Sequence, residues 1–235
     1  MKRIIAGFGL IWSVYTLFMH FILVPPGPGA PPQDILRYLH YNFNALTITT
    51  FWGIVVALLF LIFASCAMAA VHSSGQAGNQ MLHTVASGGL YAYVILALAS
   101  NAILLSVSYY LPQAQSPILV LAGYQVFWTI DPAIITLLSL TVLGSAIAVI
   151  GLRNRTLPNL LSWSGLALGL LTLISTLFVL WSPLAVLVPL AEIFLPIWFA
   201  ALAIWMMAIP KTREDAESEA PPMPSSLETA DLPVD

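Results

Sequence analysis

Residues 46–71 read LTITTFWGIVVALLFLIFASCAMAAV, a run in which no side chain carries a full charge. A helix rises about 1.5 Å per residue and the hydrocarbon core of a bilayer is about 30 Å thick, so about 20 apolar residues make one crossing. This run exceeds that length. It is also too long for a strand and too uniformly apolar for the face of a soluble helix. The same ruler finds further segments at 4–24, 84–110, 132–152, 158–181 and 190–209. The expected fold class is all-α: a polytopic transmembrane bundle of six spans within residues 1–210, followed by an acidic tail at 211–235.

Composition points the same way, with 60% hydrophobic and 7% charged residues in 235. The net charge of −3 is unevenly placed. Residues 1–210 carry five Lys or Arg against three Asp or Glu, and residues 211–235 carry two against seven. The tail is expected to be disordered, because it has too few apolar residues to offset the entropy of ordering. No cluster of Lys and Arg exists to neutralise phosphates, which excludes nucleic acid as a partner and leaves the lipid bilayer. Cys66 is the sole cysteine, so an intrachain disulfide and a thiolate metal cage are both ruled out. Its small neighbours Ala64, Ser65 and Ala67 make it a packing residue.

Punctuation between the segments sharpens the topology. Pro25-Pro26-Gly27-Pro28-Gly29-Ala30-Pro31-Pro32 ends the first one. At about 21 residues that segment is longer than the 7–15 of a signal-peptide core, so it reads as a retained helix. The polar stretch Asp34 to Asn44 is expected to extend the second span outward. Asp131-Pro132 opens the fourth, since Asp caps free amides and Pro suits the first turn. Pro183, Pro189 and Pro196 imply a loop or broken turn to about Pro189 and then a kinked helix. Pro117 to Val126 is too short to cross and reads as an interfacial or re-entrant piece. No internal repeat is evident.

With six crossings and the amino end inside, Lys2, Arg3, Arg153, Arg155, Lys211 and Arg213 all face the cytoplasm, and Arg37 alone faces out. Both termini are therefore expected in the cytoplasm. Within lipid, helices associate through small residues and hydrogen bonds. Gly88 with Ala92, Gly144 with Ala148 and Gly165 with Gly169 supply such pairs, expected to pack within the bundle in preference to a homo-oligomer seam or a membrane-protein partner. Trp12, Trp128, Trp163 and Trp181 lie towards segment ends, as headgroup anchors do.

Ionisable groups inside a span are costly and are the first places to seek function. Asp131 and Glu192 qualify, although each is expected in a first turn where a carboxylate can cap. His20, Arg37, His40, Asp131 and Glu192 all fall on the outer side, and together they form a candidate outward-facing polar pocket in which Arg37 pairs with Asp131 or Glu192. Asn101 is an interior polar group of the interhelical hydrogen-bonding kind. His20 and His40 near one face and His72 and His83 near the other permit a two-haem arrangement, but histidines in loops are more simply solvated, so neither a metal nor a cofactor is assigned. HExxH, GxSxG and GxxxxGK[ST] are absent and no interior base accompanies a serine, which points away from an enzyme.

The stretch Arg153-Asn154-Arg155-Thr156-Leu157-Pro158-Asn159-Leu160-Leu161-Ser162-Trp163-Ser164-Gly165-Leu166-Ala167-Leu168-Gly169 resembles a hairpin found in several bacterial families of small multi-helix membrane proteins. With its long proline-rich outer loop, six spans and polar tail, the chain is similar to a bacterial six-helix integral membrane protein family of unassigned function. That resemblance implies a multi-pass protein of the bacterial inner membrane and carries no catalytic residues with it. The expected function is that of a non-enzymatic plasma-membrane protein. The alternatives are a small-solute or proton-coupled transporter using the outer pocket, and an accessory subunit of a membrane complex.

Overall fold

The computed structural model describes residues 2–22, 25–27, 30–71, 77–110, 117–130, 135–177, 184 and 186–208. Every regular element among them is a helix: α1 (Lys2–Ile22), α2 (Pro32–Tyr41), α3 (Phe43–Val71), α4 (Ala77–Tyr110), α5 (Pro117–Ile130), α6 (Ile135–Asn154), α7 (Asn159–Thr176) and α8 (Leu187–Ala208). Six of these, all except α2 and α5, are long and apolar enough to cross a bilayer. The protein is thus an all-helical chain of the multi-pass membrane type. The tail at 211–235 and the Asp131-Pro132 start signal lie outside the described residues.

Several boundaries differ from expectation for local reasons. The stretch before the second span is not a continuous extension of it, because α2 ends at Asn42, whose amide and side chain both donate to the Tyr38 carbonyl. α4 begins at Ala77, seven residues before Thr84, so the helix starts ahead of its apolar stretch. α8 begins at Leu187, so Pro189 falls in its first turn, where a missing amide costs nothing, and only Pro196 interrupts the interior.

Two cores organise the bundle. The larger joins α1, α3, α4, α6, α7 and α8, and its centre is aromatic. Trp12, expected as an interface anchor, is instead 1% exposed: its indole N–H donates to the Tyr93 hydroxyl at 2.6 Å and its ring lies 4.2 Å from Phe60 and 5.4 Å from Phe199. A buried indole is stable only with such a partner. Trp163 is 64% exposed, and Trp181 lies outside the described residues.

The smaller core closes one end. Ile35 and Leu39 of α2 pack with Leu46, Val107, Val120, Tyr124 and Phe127, so α2 and α5 together form a lid over the ends of α3 and α4. The Tyr124 hydroxyl and the Trp128 indole both donate to the Pro26 carbonyl at 2.8 Å, fastening the α1–α2 connection onto α5. The opposite end gathers Lys2, Arg3, Arg153 and Arg155. There the Asn154 carboxamide and the Thr156 hydroxyl donate to the carbonyl of Val71, which terminates α3.

Candidate functional site

Of the five ionisable residues expected at one mouth, the structure joins two. Nδ1 of His20, in the last turn of α1, lies 3.2 Å from Oε2 of Glu192 in α8, with the side chains 25% and 19% exposed. Arg37 does not meet Glu192, whose contact is with His20. It lies 3.8 Å from Asp34, one turn back on α2, and both of those side chains are well exposed. An amphipathic helix whose Ile35 and Leu39 face inward must turn Asp34 and Arg37 outward. His40 is exposed and stacks edge-on against Tyr41. Asp131 lies outside the described residues.

Glu192 is not a cap. It is the sixth residue of α8, past the first turn whose amides lack helical partners. Pro196 stands four residues further on, so the amide that would bond the Glu192 carbonyl is missing and the helix is weakened where the carboxylate sits. Sequence reading noted this proline as a kink without connecting it to Glu192; the i, i+4 spacing was the available signal. Among the described residues, the helices packed around the pair carry few charges. α3 and α7, which flank α1 and α8, contain no Asp, Glu, Lys, Arg or His, and the other charges of α1 are Lys2 and Arg3 at its far end. In such low-dielectric surroundings a charged pair interacts more strongly than it would in water.

Asn101 was expected to bridge helices. Its amide instead donates to the Ala97 carbonyl of its own helix at 2.7 Å, while its Oδ1 abuts Gly53 of α3, where a Cβ would come within 2.5 Å of it. Beside it the Tyr15 hydroxyl donates to the Thr49 carbonyl at 2.6 Å. Polar groups of α1, α3 and α4 therefore meet at this level of the bundle, and glycine at 53 is what lets them approach.

The small-residue pairs divide in two. Gly165 and Gly169 face inward, against Trp198 and Ser145, and Gly144 and Ala148 line the same contact. Gly88 faces outward with nothing within 4 Å of a built Cβ, and Ala92 is half-buried on the same side. Among the described residues no group of three or more His, Cys, Asp or Glu gathers as a metal would need.

The chain matches no protein-family model, no curated protein and no solved structure. The functional reading therefore stands on the geometry above.

Proposed function

We propose that the chain is a non-enzymatic, proton-coupled protein of the plasma membrane, of the small-solute transporter class, in which His20 and Glu192 hold the exchangeable proton. The observation that carries this reading is the 3.2 Å contact between an imidazole and a carboxylate that joins the first and last spans. Histidine is the side chain whose charge ordinarily changes between pH 5 and 8. When protonated it forms an ion pair with Glu192, and when neutral it keeps at most a hydrogen bond. Protonation therefore favours closure of α1 on α8, and proton loss favours separation near the helix weakened by Pro196. With the basic end in the cytoplasm, the pair faces the outside.

Spin labels at exposed Phe18 and Phe194, introduced as cysteines on a Cys66→Ala background, report the α1–α8 separation. The distance distribution should lengthen or broaden as pH is raised, and Glu192→Gln should abolish the pH response. A response that survives both Glu192→Gln and His20→Gln would remove the proposal. A second reading is favoured by the open Gly88 and Ala92 surface: lateral association with another membrane protein. Gly88→Leu should then abolish co-purification with that partner and leave the thermal stability of the chain unchanged.

A further inference from the structure

Four hydrogen bonds fix the turn from α6 into α7. The Arg155 and Thr156 amides donate to the Leu152 and Gly151 carbonyls, and the Asn154 carboxamide and Thr156 hydroxyl donate to the Val71 carbonyl at 2.8 and 3.3 Å. Leu157 is 4% exposed and closes over Gly151. With these neighbours committed inward, the side chains of Arg153 and Arg155 are left exposed on a turn that is held in place. Neither guanidinium has an ionic partner among the described residues, whose carboxylates, Asp34 and Glu192, lie towards the opposite end of the bundle.

Directly after this turn, α7 presents Leu160 at 84% exposure and Trp163 at 64%, one turn apart on one face, and exposed Leu170 and Ile174 continue that face along the span. Helical rise puts Trp163 roughly 6 Å beyond Asn159, the first residue of α7. That is the depth at which an indole bridges headgroup and acyl chain. A guanidinium holds phosphate through two parallel N–H donors. Two such groups followed within a turn by an apolar stripe match an amphiphile with its phosphate at the arginines and its chain beside α7. Free phosphate would use the arginines and leave the stripe without a role. Lys2 and Arg3, in the first turn of α1, share this end of the bundle but not the pinned turn, and a fixed site loses less entropy on binding.

We propose that the α6–α7 turn is a binding site for an anionic phospholipid, whose phosphate is held by Arg153 and Arg155 and whose acyl chain lies along Leu160 and Trp163. The test is lipid retention by the full chain in neutral detergent, read by native mass spectrometry, with dioctanoyl phosphatidylglycerol, dioctanoyl phosphatidylcholine and inorganic phosphate as probes. Phosphatidylglycerol should bind the tighter of the two lipids, because the choline of the other brings a further cation to the arginines. Replacing both, Arg153→Gln with Arg155→Gln, should weaken its binding roughly thirtyfold, about fivefold for each cation near the membrane surface. Trp163→Ala should also weaken it, and Lys2→Gln with Arg3→Gln should cost far less than the arginine pair. Inorganic phosphate should neither displace the lipid nor raise Tm. Equal retention of the two lipids overturns the proposal. So does an equal loss from the Lys2 and Arg3 pair, which marks a diffuse basic rim, and so does phosphate that protects as well as phosphatidylglycerol, which marks a free-anion site. The substituted side chains are exposed, and an unchanged Tm in phosphatidylcholine checks folding; should the double variant fall short, Arg153→Gln alone decides by the presence or absence of its fivefold share.

Discussion

Arg155 holds φ at 53°, a left-handed conformation that side chains disfavour. It does so because α6 ends in a Schellman turn: the Thr156 amide donates to the Gly151 carbonyl at 3.1 Å and the Arg155 amide to the Leu152 carbonyl at 3.4 Å, with Leu157 folded over Gly151. Helices that end in this way usually place glycine there. Arg155→Gly should therefore raise stability by about 1 kcal/mol, read as a higher Tm, less whatever the charge contributes at the headgroups. Trp12 makes the opposite kind of residue-scale contribution. A double-mutant cycle of Trp12→Phe and Tyr93→Phe should show a coupling of about 1 kcal/mol, the worth of one buried hydrogen bond, and additivity would refute the contact. Trp12 was also the least legible residue in the sequence. An aromatic near a segment end satisfies the interface rule as well as the core rule, and only the partner at position 93 decides between them.

Between helices, glycines act by what they let approach. A Cβ at Gly165 would stand 2.7 Å from the Trp198 ring, whose indole N–H already donates to the Leu161 carbonyl. Gly165→Val should thus part α7 from α8 and lower stability by about 2–3 kcal/mol, whereas Gly88→Val, pointing at lipid, should change it by under about 0.5 kcal/mol. Thermal unfolding of the two variants side by side checks the contrast. The sequence offered these two glycines as equals, since spacing says that a small face exists and not which way it turns. The lid makes a pH prediction of its own. Burial, with the nearby Tyr124 adding to it, raises the Tyr38 hydroxyl to about 12, and burial raises Tyr124 to about 12 against a lowering hydrogen bond with Trp128. A phenol held protonated in the fold contributes its stabilisation below the unfolded value near 10 and loses it as pH climbs towards 12. The lid should loosen between pH 10 and 12, detected by tyrosinate absorbance rising together with proteolysis after residue 30, and Tyr124→Phe should diminish the coupling.

For the whole molecule, the number and order of spans were legible because apolar length is a one-dimensional property, and six long apolar helices are what the structure contains. The lid was half legible. Residues 117–126 announced a helix too short to cross, but nothing local says that it meets α2. The site was legible as a set of ionisable residues and not as a geometry, because pairing His20 with Glu192 depends on α1 and α8 being neighbours while 171 residues separate the two in sequence. Lys2, Arg3, Arg153 and Arg155 collect at one end and Arg37 at the other, so reporter fusions at both termini should place them together on the cytoplasmic side.

The doubly bonded carbonyl of Pro26 also sets a sequence of events in biosynthesis. Its two donors, Tyr124 and Trp128, are translated about a hundred codons later, which at roughly 5–20 residues per second leaves that oxygen unclaimed for roughly 5–20 s. Through that interval the link between the first two helices has no latch, and its fastening waits for the fifth helix to arrive.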